Sequence, residues 1–196
     1  MSDFAAIRAT SKTLFQLLTD EITNSSEPSL NGVLIDLRSP KQMADAGNAL
    51  GISLFLYRVI RDPDLQNRPP VRVSRDQYKP EGIPVHLHYL VTPIRNNRED
   101  EHLLLGKVIQ VFNDFAVVRG ADLQEVLKGS DEELRITMEA LSMEDQSQIW
   151  FALQAPYRLS VSYEVQVVTI DTNRELVRTE PVLTRETTYS QVLSRS

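Results

Sequence analysis

The sequence predicts an α+β fold: a single domain on a mainly antiparallel sheet, with helices packed on one face. Three observations carry this. Period-two runs and helical runs both occur, and the strand runs follow one another without the regular alternation of a parallel α/β sheet. The content of 41% hydrophobic and 24% charged residues in 196 residues suits one compact core. No internal repeat is present.

Residues 3–23 read as an amphipathic helix, with Ser2 or Asp3 as its cap and Ile7, Leu14, Leu17, Leu18 and Ile22 at helical spacing. Residues 24–28, ending in Pro28, stop it. Val33 to Leu37 then forms a short strand, 38–50 a loop, and Ile52 to Ile60 a mostly buried strand bounded by Asp62-Pro63. The connection from Asp62 to Pro84 holds five prolines, whose fixed φ and missing donors disfavour pairing, with Val71 to Val73 as a brief edge strand. A connection of this length suggests an exposed contact element.

Val85 to Val91 alternates, with Val85, Leu87, Tyr89 and Val91 on one face and His86, His88 and Leu90 on the other. Glu101 to Phe115 carries a helical stripe of Leu104, Val108, Val111, Phe112 and Phe115. Beyond Gly120 and Gly129, Leu134, Ile136 and Met138 mark a strand with one wet face. Ser142 and Asp145 then resemble a capping box on a short helix carrying Ile149, Trp150 and Leu153. Leu159 to Val167 is the longest alternating run, and 171–173 turns it back into Leu176 to Arg178. The expected division is a core over 1–171 and a C-terminal hairpin or arm over 172–196, rich in Thr and Ser and ordered on a neighbour.

Composition narrows the function classes. With no cysteine, disulfides, thiolate metal sites and cysteine nucleophiles are excluded. A net charge of -6 with mixed-sign clusters argues against a nucleic-acid partner. The longest apolar stretches fall far short of the roughly 20 residues of a membrane span. An N-terminus of MSDFAAIRATSK lacks a secretory h-region, which predicts cytoplasmic synthesis.

Candidate chemistry is sparse. His86 and His88, two apart on a strand, point to one side and could hold a metal, yet His102 is the remaining histidine and no acidic residue completes a recognised spacing. A hydrogen-bonded wet sheet face is the better reading of the pair. Glu101-His102 lacks the second histidine of a zincin helix, no nucleophile elbow or glycine-rich phosphate loop occurs, and Glu144 and Asp145 read as a cap. Trp150, Phe112 and Phe115 read as core. The sequence therefore predicts no catalytic, cofactor-binding or metal site, and no cofactor.

Four segments, taken in order, resemble one family: Ser53 to Pro70 (SLFLYRVIRDPDLQNRPP), Pro84 to Pro93 (PVHLHYLVTP), Glu101 to Gly106 (EHLLLG) and Ala155 to Val165 (APYRLSVSYEV). It is the cap, or tube-terminator, family of extracellular-type contractile injection systems. The similarity runs from about residue 50 to 171, and the N-terminal helix and Leu34 to Leu37 also fit. The stretch after Asp171 departs from the family's pattern. The resemblance implies a non-enzymatic subunit of a homohexameric ring on the distal tube end, with the inner tube protein and the sheath protein as partners. It implies no catalytic residue. A second terminator or an adaptor of the same particle is the alternative, and a metal-dependent enzyme using His86 and His88 is a remoter one.

Overall fold

A computed structural model describes residues 4–47, 50–65, 71–72, 74, 77–79, 82–171 and 177–178. The chain divides into two compact units, Met1–Asn67 with Gly82–Thr172, and Arg68–Glu81 with Asn173–Ser196.

The first unit contains helix α1 (Ala6–Thr23), strand β1 (Leu34–Asp36), helix α2 (Pro40–Asp45) and strand β2 (Gly51–Arg61). The second unit contributes β3 (Val71–Arg72), β4 (Gln77–Lys79) and β9 (Val177–Arg178). Between these, the first unit continues through β5 (Ile83–Ile94), α3 (Arg98–Asp114), β6 (Val117–Arg119), β7 (Glu133–Glu139), α4 (Met143–Ala152) and β8 (Val161–Ile170). Its six-stranded sheet runs β1-β2-β5-β8-β7-β6, with β1 parallel to β2 and every other neighbour antiparallel. The mainly antiparallel α+β architecture expected from the sequence is the one observed.

The helical stripes form for the reason the sequence suggests. Leu14, Leu18 and Ile22 of α1 and Leu104, Val108 and Phe112 of α3 enter one apolar cluster with the inner face of the sheet. Phe112 meets Tyr163 of β8 edge to face, with ring centroids 4.8 Å apart. Thr10 and Thr13 also turn inward, because their hydroxyls donate to the carbonyls of Ala6 and Ala9 and so enter the core satisfied. The Thr13 hydroxyl further accepts the Gln124 amide at 3.0 Å, tying α1 to the segment before β7.

Several sequence expectations need correction. Residues 38–50 are not all loop: Ser39 and Gln42 form a capping box, with Pro40 in the first turn, and nucleate α2. α1 begins at Ala6, after an Ala5 that makes no side-chain cap bond, while Ser2 and Asp3 lie outside the described residues. β6 was not expected, because three residues carry little periodicity; it forms against β7, with the Ile136 amide donating to the Ala116 carbonyl at 2.8 Å.

The proline-rich connection supplies two strands rather than one, placed between its prolines, and Val73 lies outside the described residues. β9, expected to turn back on β8, pairs instead with β4. Most of the predicted arm lies outside the described residues. Met138, expected on the buried face of β7, is half exposed near the strand's end.

Close approach fixes two glycines, Gly82, where a Cβ would stand 2.7 Å from the Ile170 carbonyl oxygen, and Gly51. A Cβ on Gly51 would stand 1.9 Å from the Leu34 carbonyl oxygen, so only glycine lets β1 lie parallel against β2. Trp150 is buried but stands outside the main cluster, edge-on to Tyr157.

Phe112→Ala should cost about 3–5 kcal/mol of folding stability, the usual penalty for an aromatic truncated in a close-packed core. Phe151→Ala, at a position 85% exposed on α4, should stay within about 0.5 kcal/mol. Denaturant unfolding of both variants checks the contrast.

Candidate functional site

The polar side chains of greatest interest lie on β5, between β2 and β8. Val85, Leu87, Tyr89 and Val91 face the apolar cluster, as their alternation predicts. The opposite parity places His86, His88, Leu90 and Thr92 on the other face. That face is hydrogen-bonded but not wet, since the His86 and His88 side chains are only 13% and 5% exposed.

Each histidine is matched to its own carboxylates. His86 places Nδ1 2.6 Å from Glu164 Oε1 on β8 and Nε2 3.1 Å from Asp62 Oδ2 beyond the end of β2. His88 places Nδ1 2.9 Å from Glu139 Oε1 on β7. The other oxygen of Glu139 accepts the Ser162 hydroxyl and, at 3.3 Å, the Tyr57 hydroxyl, and those two hydroxyls lie 3.0 Å apart. The sequence singled out the histidines but missed these carboxylates. Glu139 and Glu164 come from strands distant in sequence: the β5–β8 register that brings in Glu164 shifts at a bulge between Val85 and Leu87, and the regular β7–β8 register sets Glu139 opposite Ser162.

Chemistry follows from the order of groups. Ser162, Glu139 and His88 contain the residue types of a nucleophilic triad in the wrong sequence of contacts. The carboxylate stands between hydroxyl and imidazole, so no hydrogen bond lets His88 take the Ser162 proton. Nor do His86 and His88 converge on one point, and among the described residues no group of three His, Asp or Glu could hold a metal ion. The arrangement acts as a buried polar lock across four strands. His102 is exposed on α3, and Asp145 caps α4 by holding the Ser142 hydroxyl, whose oxygen accepts the Asp145 amide.

Electrostatics support a structural role. Burial pushes the Tyr57 phenol up, partly offset by Ser162 and reinforced by the Glu139 charge. Burial pushes Tyr163 up to about 12. At Asp62 burial acts upward, but the Asp64 amide, His86 and the Leu65 amide outweigh it and hold the carboxyl below its ordinary value. Glu125 is held low by Lys12 and Arg8 of α1, and Asp36 by Arg38.

A cleft of about 450 Å³ opens beside α2 and α4, lined by Lys41, Asp45, Arg98, Trp150, Tyr157 and Arg158 among others. Its two arginines are already committed, at 2.8 and 3.3 Å, to the buried carboxylate of Glu101. No described helix is long and apolar enough to cross a membrane.

The Pvc16 N-terminal domain model matches residues 9–184. The chain belongs to that family. No curated protein matches this Pvc16 N-terminal domain by sequence. Among solved structures, its fold is similar to a cryo-EM structure of the PVC sheath/tube terminator, in the extended state, of an extracellular contractile injection system. The TM-score is 0.64 at 18% identity, over 97% of this chain and 65% of that one. It is also similar to the anti-feeding prophage cap, the AFP tube terminating cap, with a TM-score of 0.57 at 18% identity over 89% of this chain. The chain spans 65% and 59% of the length of those two proteins.

The three lowered carboxyls predict an acid limb of stability. A carboxyl whose folded value lies below its unfolded value stabilises the fold above the ordinary range of about 4 and loses that contribution as pH falls through it. Thermal unfolding should therefore move to lower temperature on acidification below about pH 4, and Asp62→Asn should flatten that limb. Calorimetry across acid pH measures both effects.

Proposed function

We propose that this Pvc16 N-terminal domain is a structural, non-catalytic cap subunit that forms a homohexameric ring at the distal end of the tube of a contractile injection system. The ring terminates tube and sheath assembly. The observation carrying this reading is the fold shared, over nearly the whole chain, with the sheath/tube terminator of one such system and with the tube terminating cap of the anti-feeding prophage. The inner tube protein and the sheath protein are the partners, with assembly in the cytoplasm. The core over 1–171 forms the ring body, and 172–196 acts as an arm on a neighbour.

Support also comes from how the polar groups are spent. The side chains that might have suggested chemistry are held by bonds within the sheet, His86 to Glu164 and both His88 and Ser162 to Glu139. Function then falls to surfaces. A helical stack of rings presents the same surface after each addition, so growth has no internal stop unless a non-identical ring occupies the end. One face of the cap must complement the last tube ring, while the opposite face must leave a further ring with clashes or unpaired polar groups.

Removing the protein should leave tubes or sheaths of uncontrolled length, or few complete particles, while tube subunits are still made. Electron microscopy of particles from a deletion strain decides this. Normal numbers of particles with a sharply defined length would rule out termination and favour an adaptor role in the same machine.

A further inference from the structure

The two histidines of β5 differ in a way that bears on protonation. A neutral imidazole offers one N–H donor and one lone pair, and an ionised carboxylate only accepts. His86 has a carboxylate oxygen at hydrogen-bond distance from each ring nitrogen, 2.6 Å to Glu164 and 3.1 Å to Asp62. With a neutral ring between two ionised carboxylates, one contact would set a lone pair against an anionic oxygen. His88 has no such conflict. Its Nδ1 donates to Glu139, and its Nε2 is buried with no partner, which suits a lone pair better than an unsatisfied buried N–H.

We propose that Asp62, His86 and Glu164 together hold one proton more than two carboxylates and a neutral imidazole would, and that this proton clamps the mouth of the 63–82 excursion. Asp62 sits where the chain leaves β2, and its amide donates to the carbonyl of Pro84, where the chain returns, at 3.0 Å. His86 spans the same mouth with a second tie and adds a third to β8. Asp62 Oδ1 accepts the Asp64 and Leu65 amides at 2.8 and 3.3 Å, so this carboxylate is already satisfied as an anion. The extra proton accordingly lies between His86 and Glu164, whose other oxygen accepts the Gln166 side-chain amide at 3.0 Å.

The remaining titratable groups on these strands are Tyr57, Arg58 and Arg61 of β2, His88 and core-facing Tyr89 of β5, core-facing Tyr163 of β8, and Glu133, Arg135 and Glu139 of β7, where Arg135 stands opposite Gln166 and is paired with Glu133 at 2.9 Å. Arg58 stands opposite His88 in register, and Arg61 opposite Val85. Losing the proton would turn a tie into a repulsion. The clamp therefore holds while the proton is bound and loosens when rising pH removes it. This sign is opposite to that of the acid limb.

Imidazole 15N and carboxyl 13C spectra of the purified full-length chain test the proposal, with exposed His102 as an internal reference. Near pH 7, where an unperturbed histidine of about 6.5 is mostly neutral, His86 should show both nitrogens protonated, or one with Glu164 as the neutral acid. His88 should show Nδ1 alone protonated. In Glu164→Gln the new amide can donate to the ring, so His86 should revert to one protonated and one bare nitrogen at the same pH. A wild-type spectrum with a neutral His86 and an ionised Glu164 in the folded chain overturns the proposal, whether or not the variant folds.

Discussion

Everything in the first unit depends on the pairing of β5 between β2 and β8. The strand is 12 residues long and lies in register with a neighbour on each side for most of its length. Its inner parity forms the apolar floor on which α1 and α3 rest, and buried Tyr89 passes its hydroxyl up to Ser11 of α1 at 2.8 Å. Its outer parity carries the two histidines. Because side chains alternate with a period of two, a slip of one residue would carry Leu87 and Tyr89 out of the core and His86 and His88 into it. That cost fixes the register. The same register brings Glu139 and Glu164 within reach of the imidazoles.

This explains why the sequence was legible in some places and opaque in others. The long strands and helices could be read because their burial is periodic: Leu14, Leu18 and Ile22, or Leu134 and Ile136, announce one buried face without knowledge of any partner. α2 is short and carries its signal in the capping chemistry of Ser39-Pro40 and Gln42 rather than in a hydrophobic period. β6 and the strands of the second unit could not be found this way. Two or three residues do not make a period, and such strands exist through hydrogen bonds to segments remote in sequence.

The polar face shows the limit most clearly. Parity along each strand placed His86 and His88 together, and likewise Ser162 with Glu164 and Thr137 with Glu139. What parity cannot supply is which strand lies beside which, and by how many residues each is shifted. One bulge shifts β2 against β5 and another shifts β5 against β8, and together with the regular pairing of β7 on β8 they turn an expected wet face into a nearly closed set of carboxylate and imidazole pairs. The inference that no reactive site is built there rested on missing motifs. In the structure the residue types of a triad are present, with Glu139 standing between the Ser162 hydroxyl and the His88 imidazole.

A buried polar layer is an odd investment for a protein proposed to act through its surfaces, because replacing such groups with apolar ones of similar shape is often neutral or stabilising. Specificity is the more economical explanation. An apolar outer face on β5 would resemble the inner one and weaken the energetic distinction between the correct register and its one-residue slip. With His86 and His88 there, the slipped register would bury imidazoles among Leu14, Val108 and Phe112 without partners, which costs far more than a lost contact. For a subunit proposed to match its neighbours around a ring, one rigid register repeated in every copy matters more than the last increment of stability. A slip in one copy would displace the surfaces on which the proposed termination depends.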